Sequence, residues 1–181
     1  MNRALFLDRD GVVNEEVGYL HRSQDIRFVD GIFSLCRTAQ RLGYKLIVVT
    51  NQAGIGRGFY TLDQYHELTR WIEARFKEQG IALDEVLFCP YHPVHGLGDY
   101  QREHEDRKPS PGMLHRAARN HSIDLGQSIL IGVRCSDIGA ANAARLRQAF
   151  LIAGTESEPC SGDFQPITTL SEVEEWIQLH S

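Results

Sequence analysis

The stretch ALFLDRDGVVN, residues 4–14, decides the fold class. Four apolar residues, 4–7, run without polar interruption into Asp8, Arg9, Asp10 and Gly11. An apolar run of that length, closed by residues that favour turns, fits a strand buried on both faces. Two like charges two residues apart are a poor strand ending for stability alone, because they repel unless a cation or a positive side chain lies between them. Taken alone, the pair has an ordinary alternative, a turn after a strand, where aspartate is common anyway.

Four further apolar runs repeat the pattern, at 46–49, 86–88, 129–131 and 149–152. Helical spacing falls between them. Ile32, Leu35, Cys36, Ala39 and Leu42 form one stripe, stopped by Gly43. Leu62, Tyr65, Leu68, Ile72 and Phe76 form another behind an expected N-cap at Thr61. Ser110 and Pro111 read as a cap with proline at the first helical position, and Ser171 with Glu174 as a capping box for a last helix carrying Val173, Trp176 and Ile177 inward. Strands alternating with helices predict an α/β, doubly wound, Rossmann-like parallel sheet. The chain, 1–181, reads as one domain with no large cap domain, and its chemistry is expected at the carboxyl ends of the strands.

Bulk composition narrows the partners. Hydrophobic residues make up 42% and charged residues 24%, with a net charge of -5. No basic stripe suggests nucleic acid, and no apolar run suggests a membrane span. An anionic substrate must then be held by local donors and a metal rather than by overall charge. The four cysteines, Cys36, Cys89, Cys135 and Cys160, are scattered and do not read as a disulfide framework, and no signal-peptide pattern is expected, so a reducing cytoplasm is the expectation. With no conspicuous apolar stripe left over, a monomer is expected. Cys36 reads as core, Cys135 as an exposed loop thiol without a base, and Cys160 as idle.

The expected strand ends gather one kind of chemistry. Asp8 and Asp10 follow the first strand; Thr50, Asn51 and Gln52 follow the second; Arg107 and Lys108 precede a helix start; Asp137 follows the fourth. A carboxylate can attack phosphorus, and a second can move the proton for leaving group and water. Mg²⁺ takes oxygen ligands and offsets the repulsion between the two, while lysine, a hydroxyl and backbone N–H groups offset the charge of a transferring phosphoryl group.

Four segments in order, DRDGVVN, VVTNQAGIGRG, RKPSPGM and the G-x-x-x-S-D of residues 132–137, resemble the haloacid dehalogenase-like phosphatases. Within that family the chain is similar to the D-glycero-D-manno-heptose 1,7-bisphosphate phosphatases, with histidinol-phosphate phosphatases as cousins. GYLHRSQDIRFVDG, residues 18–31, resembles their substrate-side loop. The resemblance implies an Mg²⁺-dependent phosphatase for a phosphorylated sugar, acting on the C7 phosphate through an aspartyl phosphate. It implies Asp8 as nucleophile and Asp10 as general acid/base, with its carbonyl also reaching the metal. Asp8, Asp10 and Asp137 would hold Mg²⁺. Thr50, Asn51, Gln52 and Lys108 would hold the transferring phosphate. Arg57 and Arg107 would contact the sugar or its second phosphate, and His21 is a further candidate contact.

Two departures stand out. The family's fourth motif reads Gly-Asp, with that aspartate a metal ligand, whereas here Val133 follows Gly132. Three readings are open: a metal site rebuilt around Asp137 with weaker affinity, a catalytically impaired relative that still binds sugar phosphates, or a deliberate or accidental substitution. The second departure is the loop 89–106. The resembled enzymes place a Cys-x-His and a Cys-x-Cys zinc site there, whereas this chain offers Cys89, His92, His104 and Asp106. All four are legitimate zinc ligands, and the alternative is a metal-free loop with solvated histidines.

Overall fold

A computed structural model of the chain describes residues 1–154 and 159–180. Six parallel strands form its sheet: β1 (Arg3–Leu7), β2 (Tyr44–Asn51), β3 (Glu85–Cys89), β4 (Ile129–Gly132), β5 (Gln148–Ile152) and β6 (Gln165–Ile167). Their order across the sheet is β3-β2-β1-β4-β5-β6. The helices are α1 (Ile32–Arg41), a single turn α2 (Ala53–Gly56), α3 (Leu62–Glu78), α4 (Gly112–His121), α5 (Cys135–Ala143) and α6 (Leu170–His180).

The opening strand sits at the centre and shows how the sheet is covered. Leu5 and Leu7 join one buried cluster with Leu35, Phe76, Val173 and Ile177, from α1, α3 and α6. Ala4 and Phe6 join another with Met113, Leu114, Ile138 and Ala141, from α4 and α5. Alternate residues thus feed opposite layers, and with no polar face the run must be apolar throughout. Each large buried side chain stabilises the fold by about 1.5–3 kcal/mol.

The expected doubly wound sheet is present, and its five expected strands lie inside the observed ones. β6 was not expected: Gln165 and Pro166 are exposed and only Ile167 is buried, so this edge strand carries too little apolar signal. α5 also lacked a signal, because CSDIGAANA is small and apolar on several sides rather than along one stripe. Thr61 caps α3 as expected, accepting from the Gln64 amide while Gln64 reaches back to the Thr61 amide. Two cap expectations are corrected. Pro111 is itself the N-cap of α4 and makes no side-chain cap bond. At α6 the carboxylate that returns to the entering backbone is Glu172, accepting from the Thr168 and Thr169 amides, while Glu174 accepts from Ser34 and Thr38 on α1. Packing between α1 and α6 outbids the local capping pattern there.

Among the described residues no helix is long and apolar enough to cross a membrane. Over the carboxyl edge of the sheet lie the connections 8–31 and 90–111, whose helical content is one short 3-10 turn each. The order of the strands reverses between β1 and β4, and a crevice must open where neighbouring connections leave in opposite directions.

Candidate active site

The crevice is real and polar. A cleft of about 610 Å³ is lined by Asp8, Asp10, Thr50, Asn51, Gln52, Arg57, Arg107, Lys108 and Asp137, together with Glu16, Tyr19, Tyr60, His92, Arg134 and Ser136. Every residue expected to meet the phosphate or the magnesium ion therefore borders one space.

Asp8 is placed by the sheet itself. Its amide donates to Ile131 O at 3.0 Å, continuing the β1–β4 ladder by one step. Its Oδ1 accepts from the Arg9 amide at 2.8 Å and from Lys108 Nζ at 2.9 Å. Burial, then the Asp137 charge, pushes its carboxyl up to about 7, with Lys108 pulling the other way. Lys108 Nζ also meets Asp137 Oδ1 at 2.6 Å and donates to Val49 O at 2.9 Å. Burial works against the lysine's charge, but Asp137 and Asp8 raise its pKa on balance. A buried ammonium between two buried carboxylates is a fixed charge that no solvent rearrangement can remove.

Asn51 holds that lysine in place from the backbone. Its side chain accepts from the Lys108 amide at 3.1 Å and donates to Lys108 O at 3.0 Å. This is how β2 clips the distant 107–109 segment to the sheet. Asn51 borders the cleft, but the bonds it makes in this structure are to the lysine backbone.

Asp10 is held differently. Its oxygens accept from Arg9 Nε and Nη2, from Asn14 Nδ2 at 3.0 Å and from Gln52 Nε2 at 3.0 Å. Gln52 Nε2 also donates to Thr50 Oγ1 at 2.8 Å, and Tyr60 OH donates to Gln52 Oε1. A single network therefore runs from Tyr60 through Gln52 to Asp10 and Thr50. Arg9, Asn14 and Tyr60 are the supporting residues that sequence reasoning missed. Arg9 and Asn14 stood inside the opening motif, and an arginine between two carboxylates in a buried setting was the available signal. Tyr60 arrives from the turn beyond α2 and had none.

The fourth loop is built around Asp137. Its Oδ2 accepts from the Val133 and Arg134 amides, both at 3.0 Å, at the start of α5. A Cβ on Gly132 would lie 2.2 Å from Asp137 Cβ, so only glycine lets the carboxylate fold back over its own loop. Val133 is 2% exposed and belongs to the core cluster that includes Leu5 and Leu7. A Cβ on Gly11, whose φ is +91°, would lie 2.8 Å from Val133 Cγ1. The valine methyls thus pack on the backbone of the Asp8–Asp10 turn.

These donors fit a hard divalent cation. Asp8, Asp10 and Asp137 present carboxylate oxygens to the cleft, and the buried Asp137 Oδ1 is paired with Lys108 Nζ at 2.6 Å. Asp8 shares its Oδ1 with Lys108, and among the described residues nothing bonds its Oδ2. Val133 supplies no ligand atom.

Arg57 and Arg107 lie on the rim. Arg57 Nη1 donates to Tyr19 OH at 2.6 Å, and its guanidinium lies over the Tyr19 and Phe59 rings, 5.5 Å and 4.8 Å from their centroids. Arg107 Nη1 donates to Tyr91 O at 3.0 Å, and burial lowers its pKa. His21 stacks on Tyr60 but does not border the cleft.

The zinc expectation is corrected. Among the described residues no three of His, Cys, Asp and Glu gather to hold a metal at 89–106. His92 Nδ1 accepts from the Val94 and His95 amides, and His104 Nδ1 accepts from the Asp106 amide at 3.1 Å. Asp106 pairs with Arg116 at 3.0 Å, and Cys89 is buried with its thiol pKa raised by burial. The His104 ring stacks on Tyr91 with centroids 4.4 Å apart, so aromatic packing and an ion pair organise the loop. The cysteine expectation is corrected as well: Cys135 and Cys160 are joined as a disulfide, and Cys36 and Cys89 are free and buried.

Comparison with known proteins converges on the same chemistry. Residues 106–171 match the profile of the HAD-hydrolase-like family. The chain is 47% identical over 156 residues to the D-glycero-alpha-D-manno-heptose-1,7-bisphosphate 7-phosphatase of Burkholderia mallei, covering 86% of this chain and 82% of that protein. It is 40% identical to the D-glycero-beta-D-manno-heptose-1,7-bisphosphate 7-phosphatase of Vibrio cholerae, covering 82% and 80%. Among solved structures, a HAD-like protein from Mesorhizobium loti superposes with a TM-score of 0.88 at 31% identity, over 98% of this chain and 87% of that one. The heptose bisphosphate phosphatase of B. bronchiseptica, complexed with magnesium and phosphate, shares the fold with a TM-score of 0.84 at 23% identity, over 99% of both chains. The chain belongs to the haloacid dehalogenase-like hydrolases, within the family of heptose-1,7-bisphosphate 7-phosphatases.

Proposed function

We propose that the protein is an Mg²⁺-dependent phosphatase that removes the C7 phosphate of a D-glycero-D-manno-heptose 1,7-bisphosphate. One observation carries the reading: Asp8, a buried carboxylate at the switch point of the sheet, shares a cleft with Asp10 and with a lysine fixed between two carboxylates. The names of the relatives support the substrate class, and they include both alpha and beta anomers.

Asp8 attacks phosphorus; the new bond joins its oxygen to phosphorus as the bond to the sugar oxygen breaks. Asp10 delivers a proton to that sugar oxygen. It then takes one from the water that attacks the aspartyl phosphate, releasing inorganic phosphate and restoring Asp8. Lys108 and Thr50 bind the phosphoryl oxygens, with charge placed before the reaction begins. Bound Mg²⁺, held by Asp8, by the Asp10 carbonyl and by Asp137, would neutralise charge on the phosphoryl group. Asn51 and Gln52 position Lys108 and Asp10 respectively. Arg57 and Arg107 on the rim suit the sugar or its second phosphate.

The test is phosphate release from the two anomeric heptose bisphosphates, with histidinol phosphate as a competing substrate and excess Mg²⁺. We expect turnover of a heptose bisphosphate, and loss of about 10³-fold or more in Asp8→Asn. Full activity in that variant would reject Asp8 as nucleophile. Turnover of histidinol phosphate alone would reject the substrate assignment.

A further inference from the structure

We propose that the Cys135–Cys160 pair is a redox-modification site, and that its oxidation state sets how firmly the fourth loop of the cleft is held. Cys135 is the first residue of α5, and the residues on either side of it, Arg134 and Ser136, line the cleft. Two positions further on is Asp137, which fixes the Val133 and Arg134 amides with one oxygen and Lys108 with the other. The disulfide therefore grips the turn on which the position of the lysine depends.

Its other end has an independent anchor. Cys160 packs against the cluster that contains Ile138 and Ala141, beside Phe164. Three residues beyond Cys160, the Asp163 amide donates to Asn142 Oδ1 at 2.9 Å and Asp163 O accepts from Asn142 Nδ2 at 3.0 Å. Asn142 is near the last turn of α5. The segment around Cys160 is thus tied to the far end of α5 by hydrogen bonds and to its near end by the disulfide. Breaking the disulfide releases only the near end, where the cleft lies.

Both sulfur-bearing residues are partly exposed, so a dithiol reductant has access. Cys36 and Cys89 are not competitors: both are buried, and burial raises both thiols, Cys36 to about 12. The step is a two-electron exchange. A dithiol is oxidised to its own disulfide, the Cys135–Cys160 bond breaks, and each sulfur takes one proton. Oxidation reverses it with an external disulfide as acceptor.

The experiment uses the full chain purified without reductant. Thiols are counted after denaturation, with and without prior dithiothreitol; two per chain should rise to four. Hydrogen exchange is then followed at the Val133 and Arg134 amides, and phosphate release is measured in both forms at fixed Mg²⁺. Reduction should speed exchange at those two amides and lower kcat/KM by about tenfold, since small misplacements of a positioning group carry such losses. Cys160→Ser should match the reduced form in either redox state. Four thiols in the unreduced protein would overturn the proposal. So would equal exchange and equal turnover in the two forms. The exchange result stands without the phosphatase reading, so an inactive protein would fail that reading and leave this one decided.

Discussion

Val133 poses the sharpest question at the scale of single residues. A carboxylate there would sit where two methyls now pack on Gly11, in a shell that is apolar below and acidic above. An unpaired buried carboxylate costs several kcal/mol, whereas one that meets a cation does not. Val133→Asp should therefore lower Tm in metal-free buffer and regain it with Mg²⁺, by a larger increment than Mg²⁺ gives the original chain. Paired melting curves check this, and equal increments would show that the side chain cannot reach the metal. The neighbouring aspartate gives a second test. Asp10→Asn keeps the shape and an acceptor oxygen but cannot carry the proton, so kcat should fall by about 10²–10⁴-fold in a steady-state assay. A full rate would leave proton transfer to another group.

Elements are held by carboxylates that return to backbone. At the entry of α6, Glu172 Oε1 accepts from the Thr168 amide at 2.7 Å and the Thr169 amide at 2.9 Å, and those bonds hold its pKa below the ordinary 4.5. A depressed folded pKa gives stability that is present above the unfolded value and is lost as pH falls through the folded one. Glu172→Gln should therefore lower Tm at neutral pH, and the gap to the original chain should close as pH is taken below 4.5. Melts across that range check the sign; a gap that widens in acid would contradict it. The same logic explains why the expected Ser171–Glu174 box did not form. Glu174 reaches Ser34 at 3.1 Å and Thr38 at 2.7 Å on α1, a partner no local pattern announces.

Across the whole molecule, the loop 89–106 closes one side of the cleft, and among its described residues no three ligating side chains gather to hold a metal. Tyr91 stacked on His104, with Arg102 over Tyr91 at 4.1 Å, carries that burden. Purified protein should contain substoichiometric zinc by elemental analysis, and chelation followed by Mg²⁺ should restore full turnover. His104→Ala should lower the unfolding free energy by about 0.5–1.5 kcal/mol of lost ring packing, read from denaturant melts. One equivalent of zinc, lost together with activity, would reverse this.

What the amino-acid order determined by itself was the sheet and the edge that matters. Apolar runs such as 4–7 leave no polar face, and a two-residue period with no polar face has to be covered on both sides. Once the strands were in order, Asp8, Thr50, Lys108 and Asp137 could only meet at one edge. The tertiary structure alone decided how they meet. Lys108 reaches Asp8 across 100 residues of chain and Asn51 clips its backbone across 57, separations at which no spacing rule operates. The same holds for the ring packing of the loop 89–106 and for the pairing of Cys135 with Cys160, 25 residues apart. The reason is physical: periodicity reports which way a side chain faces its own backbone, whereas a site is made by distances between backbones, and those are fixed only when the layers pack.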